Sequence, residues 1–319
     1  MSLHKMLSIF TLSMLSTATL ASYPNKPIKL VVPYAAGGPT DAFARALSDE
    51  WGKKLGTTMI VENKAGAGTM LGTENVARAP KDGYTVLMAT VAHSVNPSLH
   101  EKLSYDPVKD FAAVGLAARA PLVLIVNNDL PVKTLPEFLD YLRNNPGKSD
   151  YGSAGVGSAP HLGGALLNHL GKFDIKHIPY RGSAPALADV IGGHVQFMVD
   201  SAPTGLAQAQ AGTVRLLATS MAERLPQTPD VPAIAEQLPG YEAYTWNAML
   251  VPAGTPGEVI EKLRASLEAA LNEAELQKKA YTMGLLLEQH PDPAALDAFI
   301  VAETEKWRPV VTSSNMTTN

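Results

Sequence analysis

Apolar and polar positions along the chain form two patterns that alternate. Residues 28–32 are a short apolar, β-branched run that predicts a buried strand. In residues 43–55 an apolar residue recurs every fourth position, which predicts one face of a helix that ends at Gly56. The same alternation continues to the carboxyl end of the chain. It predicts an α/β fold with largely parallel sheets.

Two glycine-rich turns stand between a predicted strand and a predicted helix. Gly37 and Gly38 follow the first strand, and we expect Thr40 to cap the following helix. Residues 152–157 form the second turn, and Ser158 is expected to cap a helix with Pro160 in its first turn. A strand, a glycine turn and a helix start leave unpaired N–H groups at the positive helix end. Each turn is therefore a predicted anion site, and a carboxylate is the small anion that both could share.

Two crossings between lobes set the predicted domain organisation. Residues 111–126 are interrupted by Arg119 and Pro121, which predicts two strands and a first crossing, and residues 243–251 predict the return. Residues 90–97 and the proline-rich residues 225–240 are predicted loops. The predicted domains are a signal peptide at 1–21, a first lobe made of 22–122 and 243–319, and a second lobe at 123–242. A cleft between two such sheets is where ligands of open α/β folds bind.

The charge, the cysteine content and the missing motifs exclude several kinds of site and partner. The 319 residues carry a formal net charge of −4 and no cysteine, which excludes disulfides and thiolate metal sites. No basic block follows the predicted signal peptide, so nucleic acid and anionic membranes are poor partners. The signal peptide, with a cut after Ala21, predicts an exported protein without membrane insertion. Dinucleotide, P-loop and zinc motifs are missing from the sequence, and no cofactor or metal is expected.

A histidine and an aspartate complete the predicted site. His161 falls in the first turn of the second helix, where the positive helix end disfavours a protonated ring. Asp200 ends a buried strand at its carboxyl edge, whereas Asp41 is expected to be structural. Ser158, His161 and Asp200 also permit a secreted serine hydrolase, an alternative that the lack of a Gly-x-Ser-x-Gly elbow disfavours. The other histidines, His177 included, are expected to be packing or surface residues.

Four motifs carry a family resemblance over nearly the whole chain after the predicted signal peptide. They are residues 33–41 with Arg45, residues 62–68, residues 152–158 with His161, and residues 179–183. Their order and spacing resemble the tripartite tricarboxylate transporter receptor family, also called the Bug family. The resemblance implies a periplasmic binding protein of type II, with two lobes that close like a Venus flytrap. It also implies a partner permease with a large and a small membrane subunit.

The resemblance implies further that backbone amides and hydroxyls of the two glycine turns hold a ligand carboxylate. The expected function is periplasmic capture of a di- or tricarboxylate, an acidic amino acid or an aromatic acid by a monomeric receptor without catalytic residues. A sensory receptor that presents the ligand to a kinase is the alternative within this class. The predicted ligand-binding residues are Tyr34, Ala36, Gly37, Gly38, Thr40, Thr90, Ser94, Ser153, Ala154, Gly155, Gly157, Ser158, His161 and Asp200.

Overall fold

The predicted alternation of strands and helices is present in the structure, a computed structural model that describes residues 23–314 and residue 316. The predicted signal peptide lies outside the described residues. The strands of the described residues are β1 (Ile28–Val32), β2 (Met59–Asn63), β3 (Thr85–Ala89), β4 (Phe111–Val126), β5 (Ser149–Ser153), β6 (Ile175–Pro179), β7 (Phe197–Ser201), β8 (Arg215–Thr219), β9 (Tyr244–Pro252) and β10 (Leu286–Leu287). Their helices are α1 (Pro39–Leu55), α2 (Met70–Ala77), α3 (Val91–Leu99), α4 (Leu135–Asn144), α5 (Ala159–Gly171), α6 (Ser183–Ile191), α7 (Ala202–Gln210), α8 (Gly257–Leu271), α9 (Ala274–Thr282) and α10 (Pro293–Ser313).

The sheet consists of two parallel groups joined by an antiparallel pair. Its strand order is β2-β1-β3-β9-β4-β7-β5-β6, and β8 and β10 pair with β4. Strand β1 runs parallel to β2 and β3, and β5 runs parallel to β6 and β7. Strands β9 and β4 are antiparallel to each other and to their neighbours in the two groups. The carboxyl ends of each parallel group therefore form one edge, which is where ligands of such sheets bind.

Strand β4 is continuous, so the prediction of two strands was wrong. Its first part pairs with β9 up to Pro121, and its second part pairs with β7 from Leu122 onward. Pro121 thus lies at the junction between two ladders, where a missing N–H is tolerated. Arg119 keeps its charge at the surface through an ion pair with Glu288, whose oxygen lies 3.3 Å away. The predicted boundaries at 122/123 and 242/243 fall in β4 and just before β9, and the division into lobes stays a prediction.

Helix α10 packs against helices of both predicted lobes. It contacts α3 and also α5, and it carries the buried Glu303. The Glu303 carboxylate accepts hydrogen bonds from the indole nitrogens of Trp246 at 3.2 Å and Trp307 at 3.0 Å. On the other face of the sheet α1 packs on α8, where the Trp51 indole donates to Ser266 Oγ at 2.9 Å. Within residues 23–314, no helix is long and apolar enough to cross a membrane.

Two local predictions were wrong. Residues 90–97 were predicted as a loop, but they begin α3, which tolerates Pro97 near its end because residues 91–96 are buried. Thr40 is not the cap of α1: Gly38 holds that position, with Pro39 after it.

Candidate functional site

The first corner is the turn between β1 and α1, and Asp41 holds it together. The backbone of Gly37 has a φ of +87°, and its N–H donates to Asp41 Oδ2 at 2.9 Å. Arg45 Nε donates to the same oxygen at 3.0 Å. Asn63 Nδ2 donates to Asp41 Oδ1 at 2.9 Å and to the Tyr34 carbonyl at 3.1 Å. Burial alone would raise the pKa of Asp41, but the hydrogen bonds from Arg45, Gly37 and Asn63 lower it on balance. Asp41 is therefore structural, as expected.

Other amides of this corner remain able to donate. The Gly37 N–H is occupied by Asp41, so this glycine supplies the bend of the turn. The amides of Ala36, Gly38 and Thr40 donate to no acceptor among the described residues. Ala36 is exposed, and the latter two lie at the positive end of the 17-residue helix α1. These three N–H groups are the donors that an anion could use here.

Tyr34 and Thr90 join the first corner to the start of α3. Their hydroxyl oxygens lie 2.7 Å apart in a hydrogen bond that either can donate. Burial raises the pKa of Tyr34, so its hydroxyl stays neutral. Ser94 is not brought into this group. Its hydroxyl is fully buried and donates to the Ile300 carbonyl on α10 at 3.3 Å.

The second corner is the turn between β5 and α5, and two serine hydroxyls shape it. Ser153 Oγ accepts the Gly155 N–H at 3.1 Å, which supports the glycine in a backbone conformation with φ at +120°. Ser158 Oγ donates to the Gly155 carbonyl at 2.6 Å and accepts the His161 N–H at 3.4 Å. Ser158 is thus the cap of α5, as predicted. The amides of Ala154 and Val156 have no acceptor in the described part of the chain and are free to bind an anion.

Two stacked histidines lie behind the second corner. The rings of His161 and His177 are 3.6 Å apart between centroids and tilted by only 7°. His161 Nδ1 accepts the Gly157 N–H at 3.2 Å, and His177 Nε2 lies 2.6 Å from Ser153 Oγ. Burial, and then the charge of the neighbouring ring, lowers the pKa of His161 to about 3. Burial lowers the pKa of His177 to about 4. Both rings are therefore neutral near pH 7.

His177 is a member of the corner that the sequence did not reveal. A packing or surface residue is expected there from the sequence, and the helix end is expected to keep His161 neutral, whereas burial is the larger cause. The position of His177 follows from the parallel register of β5 and β6, which sets it opposite Tyr151 on β5. Alternation along two adjacent parallel strands was the available signal.

The hydrolase arrangement is not assembled. The Ser158 hydroxyl is used by Gly155, and the His161 ring contacts Gly157 and His177. Asp200 is fully buried at the carboxyl end of β7, where it accepts a hydrogen bond from Thr204, and burial raises its pKa to about 6. In the described part of the chain no hydrogen bond joins the three predicted triad side chains. Residues 23–314 also contain no group of three or more histidine, aspartate and glutamate side chains placed to hold a metal ion.

Helix α3 links the two corners in space. Its N-cap residue, Thr90, hydrogen-bonds to Tyr34, and its last residue, Leu99, lies against Gly157 of the second turn. A Cβ atom at Gly157 would stand 2.6 Å from Leu99 Cδ1, so only a glycine fits without displacing that side chain. The two glycine turns therefore stand near opposite ends of one short helix.

Sequence and structure comparisons identify related proteins. The sequence model of the family described as "Tripartite tricarboxylate transporter family receptor" matches residues 43–316. The solved structure of the periplasmic binding protein BugD is 35% identical, covers 93% of this chain and 100% of its own, and superposes with a TM-score of 0.82.

Two structures from Rhodopseudomonas palustris contain ligands. Rpa4515 with adipate is 30% identical, with 93% of this chain and 100% of that chain covered and a TM-score of 0.83. MatC with bound malate is 33% identical, with 91% and 100% covered and a TM-score of 0.80. The chain described here therefore belongs to the tripartite tricarboxylate transporter receptor family and is a solute-binding receptor with the fold of periplasmic binding proteins.

Proposed function

We propose that this receptor captures a small dicarboxylate in the periplasm and presents it to a membrane permease with a large and a small subunit. Export would use the predicted signal peptide, residues 1–21. The bound adipate and malate of two relatives at least 30% identical support a dicarboxylate. The permease is the partner that the family's transport system implies.

The observation that carries this proposal is the pair of corners with unpaired amides. Gly38 and Thr40 at the first corner, and Ala154 and Val156 at the second, have N–H groups without acceptors among the described residues. Backbone N–H groups at helix starts favour negative charge. One carboxylate held by both corners would therefore need no buried arginine.

Closure of the two predicted lobes would follow from shared contacts. A ligand that touches both corners binds the closed form more tightly than the open form and shifts the population towards closure. A ligand that contacted only one corner would shift nothing, because its affinity for the two forms would be equal. The permease would then recognise the closed, loaded form.

Thermal unfolding of the purified protein with succinate, malate, adipate, citrate, glutamate and nicotinate tests the proposal. A ligand at 100 times its dissociation constant adds about 2.7 kcal/mol to the unfolding free energy, which gives a clear rise in the melting temperature. We expect at least one dicarboxylate to raise it, and calorimetry to give one site per chain with no consumption of the acid. Melting temperatures unchanged by every acid, or turnover of an acid, would overturn the proposal.

A further inference from the structure

Asn247 on β9 is a buried amide side chain without a hydrogen-bond partner. The residue is 2% exposed, and its Nδ2 atom is fully buried. This Nδ2 donor has no hydrogen-bond partner among the described residues. Buried polar groups are nearly always paired in folded proteins, and an unpaired donor lowers stability. Such a group in the interior of a binding protein needs a reason.

The strand register puts Asn247 beside the hydroxyl pair of the first corner. In the antiparallel ladder of β3 and β9, Met88 lies opposite Met249 and Ala89 lies opposite Ala248. Thr90 continues β3 in an extended conformation, with φ −133° and ψ −178°. The next pair along the ladder is therefore Thr90 and Asn247, whose Cβ atoms are expected about 5 Å apart.

Alternation along the strands decides which face Asn247 occupies. Met88 and Met249 belong to one apolar cluster, and Tyr34 packs against that cluster. Residues two apart on a strand point to the same side, so Thr90 and Asn247 share the face of these methionines. On β4, Asn247 pairs with Ala118, which belongs to the same cluster. A small side chain thus flanks the amide on its other side.

These positions form one surface, partly polar and partly apolar, beside the first corner. Its polar part consists of the Tyr34 and Thr90 hydroxyls, which already bond to each other, and the unpaired Asn247 amide. Its apolar part includes Ala118 and its β10 partner Leu287. Of these polar groups, the Asn247 Nδ2 donor is the one without a hydrogen-bond partner.

We infer that Asn247 is a specificity-determining residue that donates a hydrogen bond to an oxygen at the far end of the ligand, namely its second carboxylate or a hydroxyl. The inference rests on the proposed function, in which the corner amides hold the first carboxylate. Rotation about the last side-chain bond exchanges the two ends of the amide, so Nδ2 can turn towards a ligand oxygen. A ligand with an alkyl far end would leave this donor unpaired.

Such a donor produces selectivity in one direction. A site that hydrogen-bonds a polar group rejects the analogue that lacks it, because its own polar atom is then left without a partner. A dicarboxylate is therefore bound more tightly than a monocarboxylate of the same carbon number. A leucine at position 247 has no donor to satisfy and should lose most of this distinction.

Calorimetry with two matched pairs of acids tests the inference. The pairs are succinate with butyrate and adipate with hexanoate, each titrated into the wild-type protein and Asn247→Leu. We expect the wild type to prefer the diacid of at least one pair. Asn247→Leu should lower that preference by about tenfold or more, because one hydrogen bond to a buried charged group is lost. Its affinity for the monoacid should stay within about threefold of wild type.

A stability measurement separates this role from a structural one. Asn127 is a buried asparagine whose Nδ2 donates to the Val190 carbonyl at 2.8 Å and the Ile191 carbonyl at 3.1 Å. Asn127→Leu should lower the melting temperature of the unliganded protein without changing the diacid preference. Asn247→Leu should leave that temperature unchanged or raised, because no bond is lost. Asn247→Ala, which also has no side-chain donor, serves in its place if the leucine variant does not fold.

The possible results separate the role of Asn247 from the proposed receptor function. An unchanged diacid preference in Asn247→Leu overturns the inference and leaves the receptor function intact. Equal affinity of the wild type for the diacid and the monoacid of each pair also overturns the inference and leaves the receptor function intact. A fall in melting temperature together with an equal loss of affinity for both kinds of acid assigns Asn247 a structural role. A wild-type protein that binds neither kind of acid overturns the proposed function itself.

Discussion

Replacement of Gly155 by alanine tests the second corner with the smallest possible change. Gly155 has a φ of +120°, a conformation that is almost confined to glycine. A Cβ atom there would stand 3.3 Å from the Tyr180 carbonyl oxygen, a close contact that the neighbouring backbone must relieve. The substitution therefore strains the turn while adding only one methyl group.

The expected loss of affinity follows from this strain. A residue held in such a region costs about 2 kcal/mol, within the usual range of roughly 1–3 kcal/mol. The turn escapes the strain by leaving the conformation in which Ser153 and Ser158 bond to Gly155. If only the native turn binds the acid, the apparent affinity falls by the population lost, which is about 30-fold.

The assay is calorimetry with the acid that gives the largest thermal shift, together with urea unfolding. Gly212→Ala is the matched control, because Gly212 has a φ of +72° in an exposed turn with no atom within 4 Å of its added Cβ. This control should lose about 1 kcal/mol of stability and keep wild-type affinity. Wild-type affinity in Gly155→Ala, with a stability loss like that of the control, would refute the role of the second corner.

Three further substitutions test other parts of the structure. Asp41→Ala removes the acceptor shared by the Gly37 N–H, Arg45 and Asn63, and it should cost about 2–4 kcal/mol in urea unfolding and weaken acid binding. The exposed Asp140→Ala should change stability by under about 0.5 kcal/mol, and equal effects of the two variants would contradict the role of Asp41. Burial lowers the pKa of His177 from 6.5 to about 4, so stability that is present above pH 6.5 is lost as the pH falls towards 4. Between pH 7 and 4.5 the wild type should lose about 1–2 kcal/mol more than His177→Gln, and parallel losses would argue against a neutral ring. Glu303→Ala should lower the free energy of unfolding by about 3–5 kcal/mol, because two buried indole N–H groups lose their acceptor. The exposed Glu305→Ala should be nearly neutral, and a small loss of stability in Glu303→Ala would show that the indoles find other partners.

Local sequence signals were enough to predict the class of fold and the two corners. The first corner lies within about 30 residues of sequence. In that stretch a β-branched run predicts the strand, a glycine pair predicts the turn, and an apolar residue at every fourth position predicts the helix, without any knowledge of distant contacts. Ser158 was correctly predicted as a helix cap because its partner, the N–H of His161, is three residues away. The hydroxyl bond between Tyr34 and Thr90 spans 56 positions and could not be seen in the same way.

Features set by tertiary packing were missed for the same reason. Pro97 and Pro121 looked like breaks, but burial of α3 and the change of partner along β4 accommodate them. The partners of the corner amides were also hidden, since Asp41 takes the Gly37 N–H that the glycine motif alone would leave free. The pairing of His161 with His177 depends on two strands lying side by side, and the sequence separates these rings by a whole helix.

A crystal structure with the most strongly bound acid of the panel would show whether the two corners share one anion. We expect one carboxylate group within about 3 Å of amides from both corners. These are Gly38 or Thr40 on one side and Ala154 or Val156 on the other. A carboxylate that contacts a single corner, or that lies elsewhere on the protein, would contradict the claim that the two corners share one anion.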